Sequence, residues 1–404
     1  ISNPFYNRIT RFLGEIMHIL RRIKIATPEK IIERGFIVIE RGFIKDVGEG
    51  SPNTNLGSSE DLDSMIIIPG FVDTHTHGIE GLDITQDPTP ETLEEISRRI
   101  IRYGVTSLTP TTVTAPHEIL VKACESIRKY ADSRKPGSSA RILGIHLEGP
   151  YISREMAGAQ NPDHIRIPRA SEFREYWNAS KGLISQITIA PEIEGGIEFI
   201  RYVREHGVVA SAGHTNASYE IGVEAVRAGI SKATHFLNAM RRFHHRDPGI
   251  SLALLESEKV FLEIIADMIH LHPSVVKLLI RYAGADRIAL VTDSISATGL
   301  EDGVYELGGL RVRVEKGVAK LADRDTLAGS TLTMIKAFRN IIDLGFSLAD
   351  ASRMSSLTPA RSINADNKFM IGRIERRFRA DLIALDEKLN IRRVYIDGEI
   401  AYEK

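Results

Sequence analysis

The sequence predicts an α/β chain: a TIM-like (β/α)8 barrel carrying a small β-sandwich domain assembled from both chain ends. Two observations lead there. Through the middle of the chain, short apolar runs alternate with helical stretches whose outer faces are charged, which is the rhythm of repeated βα units around a parallel sheet. At both ends the rhythm is instead that of short strands joined by tight turns. At 404 residues the chain exceeds the roughly 250 that one barrel usually takes, so a second, smaller unit has material to form.

Taken in order, the first residues place Arg8 and Arg11 ahead of Phe12, Leu13, Ile16, Met17, Ile19 and Leu20, loosely like a leader. Glu15 and His18 interrupt that run and no small-residue cleavage site follows. Residues 1–22 therefore read as an amphipathic helical extension, or as residues upstream of a start near Met17. From Ile23 to Val47 the apolar runs Ile37-Val38-Ile39 and Phe43-Ile44 flank the turn-forming Arg41-Gly42. The chain closes in the same manner, with Leu382-Ile383-Ala384-Leu385, then Val394-Tyr395-Ile396 and a tight Asp397-Gly398 turn. Residues 23–65 and 366–404 are expected to share the small β-domain, and residues 66–365 to form the barrel.

The barrel strands are expected at Ile66–Asp73, Ser107–Thr112, Ile142–Leu147, Ile184–Ala190, Gly207–Ala212, Lys232–Leu237, Phe261–Ile265 and Arg287–Thr292. Pro90–Tyr103, Pro116–Lys129, Tyr219–Ala228, Pro273–Tyr282 and Thr331–Leu344 have helical spacing.

Composition narrows the function. Fifty-two Lys and Arg against 53 Asp and Glu leave a formal charge of -1, which argues against a nucleic-acid or anionic-membrane partner. The longest apolar runs, such as Met65–Pro69, fall far short of the roughly 18 residues a spanning helix needs. Cys124 has no partner cysteine, which fits a reducing, cytoplasmic setting.

Several strand candidates end in groups that a core rejects. The first runs into Asp73-Thr74-His75-Thr76-His77, the third into His146-Leu147-Glu148 and the fifth into Gly213-His214. The sixth contains His235 followed by Asn238, the seventh leads to Asp267 and His270, and the eighth reaches Asp293. In a βα barrel all these ends face one rim, where such enzymes keep their active sites. His75 and His77, two apart on an extended chain, point to the same side. Alone they fit an exposed pair; with Glu148, His214, His235 and Asp293 at equivalent ends, a metal site explains them better, because unpaired buried polar groups are costly. Imidazole and carboxylate without thiolate suit a catalytic site for zinc first, with iron or manganese as alternatives. Such an ion lowers the pKa of bound water toward about 7, so the expected reaction is hydrolysis. Asp293 is the candidate acid/base, with helix capping as its bland reading, and His270 the candidate carbonyl-polarising group. The basic run Arg241, Arg242, His244, His245 and Arg246 is ordinarily a solvated loop; on this rim one Arg can grip a phosphate.

Together, Pro69 to Gly78, His146 to Pro150, Ser211 to Ala217, Ala233 to Met240, Ile265-Ala266-Asp267, Leu290 to Asp293 and Leu327 to Met334 resemble the N-acetylglucosamine-6-phosphate deacetylase family of the amidohydrolase superfamily. The resemblance runs from about Ile23 to Tyr402. It implies that Glu148, His214 and His235 hold the principal divalent ion, with Asp293 as acid/base close enough to count among the ligands. His75 and His77 then make a second ion possible, bridged by Glu148. By the same resemblance Ala159, Asn238, Ala239, Arg246, His270, Leu327, Ala328 and Gly329 line the sugar-phosphate pocket. The implied substrate is a phosphorylated N-acetyl amino sugar, in amino-sugar catabolism, and the implied assembly a homodimer whose phosphate contacts can cross the subunit boundary.

Two positions depart from the family: Gln160 stands where His is common, and Met268 where Gly is common. Either could change the preferred acyl group or sugar, galactosamine included. Other amidohydrolase chemistries are the nearer rival. Cyclic amidases place a modified lysine at the end of the fourth strand, and here Ile189-Ala190-Pro191-Glu192 offers none. A non-catalytic barrel would be expected to have lost ligands, and none is missing.

Overall fold

The computed structural model describes residues 17–27, 30–54 and 57–404. Its central sheet is parallel and nearly closed, passing through Phe71–Thr76, Val105–Thr112, Ile145–Glu148, Ile184–Ile189, Val209–Ala212, Ile230–Ala233, Phe261–Ile265 and Ile288–Val291. Across the seam, the Asp293 N–H donates to the His75 carbonyl at 2.9 Å and the Thr292 hydroxyl to Asp73 at 2.6 Å. The last strand is thereby tied back to the first.

The helices between these strands begin where capping chemistry allows. Pro90–Arg99 has Pro at its first position and the Thr89 hydroxyl accepting the Thr92 N–H at 3.1 Å. Tyr219–Ala228 is capped by Ser218, and its chain leaves through Gly229 at φ 134°. Their inward faces, such as Leu93 and Ile96, join one core with the strand residues Leu108, Leu147, Ile187, Ile264 and Leu290.

A second sheet gathers the chain ends, in the order Glu399–Glu403, Ile391–Ile396, Leu382–Leu385, Ile66–Pro69, Met17–Ala26, Ile31–Glu40 and Phe43–Glu49. Two expectations are corrected here. Met17–Leu20, read as part of a helical extension, is the start of a strand that pairs with Ile31–Glu40. The apolar spacing misled because Ile19 and Leu20 go to opposite faces, Ile19 to Phe36 and Val38 and Leu20 to Ile37 and Ile39. The residues before Met17 lie outside those described. Ile66–Pro69, expected to open the first barrel strand, pairs instead with Leu382–Leu385. Gly70 separates the two: a Cβ there would stand 2.2 Å from Thr106 Oγ1, so only glycine lets the chain pass into the barrel.

A three-stranded antiparallel sheet, Gly303–Leu307, Leu310–Glu315 and Val318–Leu321, follows the last barrel strand and was not anticipated. It packs Val312, Val314 and Leu321 with Val113 and Ile295, and so covers part of the carboxyl rim. No helix among the described residues is long and apolar enough to cross a membrane.

Candidate active site

Strand alternation sends His75 and His77, and likewise His146 and Glu148, to the barrel interior, where all four are buried. His214, His235 and Asp293 lie just past strand ends in left-handed backbone, with φ of 47°, 29° and 51°. Non-glycine residues enter that region at a cost of about 1–3 kcal/mol, and such strain concentrates at functional sites.

These bends bring the side chains around Glu148. Its Oε1 lies 3.1 Å from His214 Nε2, 2.9 Å from His235 Nε2 and 3.5 Å from His75 Nε2. Its Oε2 lies 3.3 Å from His77 Nε2. Asp293 Oδ1 closes the other side, 3.1 Å from His77 Nε2 and 3.3 Å from His75 Nε2. Two ligand sets result, His75-His77-Glu148 and Glu148-His214-His235, sharing one carboxylate.

The donor chemistry fits a divalent ion. The Nδ1 atoms of His77 and His214 donate to the carbonyls of Thr111 at 3.1 Å and Met156 at 2.9 Å, and carbonyls only accept. The His75 Nδ1 likewise faces the Glu263 carboxylate at 3.1 Å. In the neutral rings of His75, His77 and His214 Nε2 then carries a lone pair, yet His75 and His77 Nε2 are 3.3 Å apart, and His214 Nε2 lies 3.1 Å from that of His235, whose Nδ1 has no hydrogen-bond partner among the described residues. Lone pairs and carboxylates crowd together in this way around a cation. Burial disfavours charge on His77, but the carboxylates of Asp293 and Glu148 outweigh it and raise its pKa to about 9. The site thus favours positive charge, which protons on these rings or a bound divalent ion would supply.

Beneath it lies a polar layer that sequence reasoning missed. Lys232 Nζ reaches Glu263 Oε1 at 2.6 Å, Gln186 Oε1 at 2.6 Å and Thr74 Oγ1 at 3.0 Å, with Lys232 and Glu263 both fully buried. Burial pushes the Lys232 pKa down and works against the Glu263 carboxylate, yet the neighbouring ammonium and His75 hold Glu263 well below the glutamate range. Glu263 thereby fixes the tautomer of His75. The available signal was one charged residue in each of two otherwise unremarkable barrel strands, Ile230–Ala233 and Phe261–Ile265.

Above the cluster opens a cavity of about 670 Å³, lined by His77, Glu148, His214, His235, His270 and Asp293 among others. Ala159, Asn238, Ala239, Leu327 and Gly329 also line it, as expected. His270 donates from Nδ1 to Asp267 Oδ2 at 2.7 Å, and Asp267 Oδ1 accepts the backbone N–H groups of Ile269 and His270. Asp293 caps no helix; its carbonyl accepts the Ser330 N–H at 2.7 Å.

Three residues stand elsewhere than expected. Arg246 does not line the cavity: it is exposed beside His245, because the loop turns outward at the His244–Asp247 bridge. Arg154, Arg242 and Arg324 line the cavity instead, with the Arg154 guanidinium donating to the Pro162 and Ile165 carbonyls. Ala328 is buried behind Leu327 and Gly329, among Ile295 and Leu321. Met268 packs against the barrel core rather than lining the cavity.

The model of the amidohydrolase family matches residues 66–401. An N-acetylglucosamine-6-phosphate deacetylase of Bacillus subtilis (strain 168) is 34% identical over 95% of this chain and 97% of its own. An N-acetylgalactosamine-6-phosphate deacetylase of Escherichia coli O157:H7 is also 34% identical, over 95% of this chain and 99% of its own. Among solved structures, the N-acetyl-D-glucosamine-6-phosphate deacetylase of Mycobacterium smegmatis superposes with a TM-score of 0.89 at 32% identity, covering 96% of this chain and 100% of that one. The Thermotoga maritima N-acetylglucosamine-6-phosphate deacetylase gives 0.86 at 35% identity, covering 96% and 100%.

Proposed function

This chain belongs to the amidohydrolase family and, within it, to the N-acetylglucosamine-6-phosphate deacetylases; from that premise we propose that it hydrolyses N-acetylglucosamine 6-phosphate to glucosamine 6-phosphate and acetate. The observation that carries this reading is Glu148, shared by two histidine pairs on the floor of an arginine-walled cavity.

Glu148, His214 and His235 would hold a divalent ion, which when bound would supply Lewis acidity toward the amide carbonyl and a water of pKa about 7. Asp293 takes the proton of the attacking water and delivers it to the amide nitrogen as the C–N bond breaks. His270, held by Asp267, polarises the carbonyl oxygen. The backbone at Leu327–Gly329 and the side chain of Asn238 hold the sugar, and Arg242 meets the phosphate from within the subunit. Arg246, exposed beside His245, is the candidate to contact the phosphate of a neighbouring subunit if the chain forms a homodimer. Zinc is the first choice of metal for a nitrogen and oxygen ligand set, ahead of iron and manganese. A cytoplasmic setting accords with the single, buried Cys124.

The galactosamine epimer is the second reading, favoured by the equal identity to the E. coli N-acetylgalactosamine-6-phosphate enzyme. The test is acetate release, with each metal added, across a panel varying the epimer, the acyl chain and the 6-phosphate. N-acetylglucosamine 6-phosphate should give the highest kcat/KM, and its unphosphorylated form little turnover. Preference for the other epimer would replace the first reading with the second, and no acetate from any member would defeat both.

A further inference from the structure

Glu148 divides its two oxygens among its partners: Oε1 meets His214 and His235 most closely, with His75 farther off at 3.5 Å, and Oε2 meets His77. The terminal torsion of a glutamate is broad and roughly two-fold, so nothing in the side chain itself keeps the carboxylate in that plane. Gln160 does. Its Nε2 donates to Glu148 Oε2 at 2.6 Å, and its Oε1 accepts the Thr114 N–H at 2.7 Å. A backbone N–H only donates, so the amide orientation is fixed and its NH2 must face the carboxylate. The Gln160 N–H is itself bound to the Ala157 carbonyl at 2.9 Å, and the side chain is 4% exposed. Two rim loops, following the second and third barrel strands, are thus tied together through this one amide.

We infer that Gln160 is a positioning residue that locks the Glu148 carboxylate as a bridge, so that Oε2 serves a second divalent ion at His75 and His77 while Oε1 serves the first. The bond leaves one lone-pair direction of Oε2 free for that ion and takes up the other. Loss of the amide would free the carboxylate to rotate and weaken the His75/His77 ion more than the His214/His235 ion. Supporting groups of this kind are worth about 10- to 100-fold in metal affinity. This inference rests on the reading of the cluster as a divalent-metal centre, and not on the identity of the substrate.

The experiment is a titration of chelator-stripped full-length protein with manganese(II), followed by calorimetry and by electron paramagnetic resonance. Wild type should take two ions and show the spectrum of an exchange-coupled pair. Gln160→Leu should keep the first ion unchanged, bind the second about 10- to 100-fold more weakly and lose the coupled signal. Gln160→His, which can accept from Thr114 at one nitrogen and donate to Glu148 from the other, should restore both. Gln160→Met serves the same purpose if the branched side chain unfolds the loop, as judged by circular dichroism. Two ions bound as in wild type by the apolar variants, equal weakening of both ions, or a wild type that takes only one ion would each overturn the inference. A wild type that couples two ions yet leaves N-acetylglucosamine 6-phosphate intact would defeat the proposed substrate and leave this role standing.

Discussion

Replacing Lys232 by Met removes the ammonium that touches Glu263 Oε1, at 2.6 Å, in a place where neither side chain has any exposure. Glu263 would keep His75 Nδ1 at 3.1 Å, Thr74 Oγ1 at 3.3 Å and the His235 N–H at 3.3 Å, while Gln186 Oε1 would lose its donor. Breaking a buried pair from one side costs about 3–5 kcal/mol, because the remaining charge is left uncompensated. Glu263→Gln should cost a similar amount by stranding the ammonium. The double variant Lys232→Met/Glu263→Gln leaves neither charge, so its loss should fall short of the sum of the singles by about 2–3 kcal/mol. The assay is urea unfolding of metal-free protein, followed by the fluorescence of Trp177, which lies on the barrel helix Ala170–Ala179. Additive losses, or a Lys232→Met variant as stable as wild type, would refute the view that this pair is held by mutual neutralisation.

Asp293→Asn should lower kcat by about 10²–10⁴ with the fold intact by circular dichroism; acetate release at the wild-type rate would remove Asp293 from the mechanism. Gly329→Ala should destabilise by about 1–3 kcal/mol and depress activity, since φ is +54° and the new Cβ would stand 2.4 Å from Ile295 Cγ2 and 3.0 Å from the Asp293 carbonyl. A differential scan beside an acetate assay checks both effects. Burial pushes the Cys124 thiol up to about 12, so native protein at pH 8 should resist iodoacetamide and become reactive only on unfolding. Mass spectrometry of intact protein reads that outcome directly.

The barrel was legible because its strands are short and apolar and its helices amphipathic: Phe261–Ile265 and Tyr219–Ala228 fall where the periodicity places them. The clustered polar residues of the rim were legible for the opposite reason, as polar residues that terminate apolar runs. Periodicity failed where one run serves two sheets, as at Ile66–Pro69 before Gly70, or buries both faces of a strand, as at Ile19 and Leu20. The sheet formed by Gly303–Leu321 escaped because its outer residues alternate with charges and its inner face is small. Lys232 and Glu263 escaped because each looks misplaced until its opposite charge, on the neighbouring strand, is known. Arg246 was chosen over Arg242 by resemblance, and only the outward turn of the loop within one subunit separates them.

The central claim is that the Glu148 carboxylate and its four histidines enclose a cation that the reaction needs. Anomalous diffraction at the zinc edge, from crystals of protein that releases acetate only when metal is restored, tests it most directly. A peak between Glu148, His214 and His235, with a second toward His75 and His77 at full loading, is expected. A fully active protein with no anomalous scatterer among those side chains would contradict it.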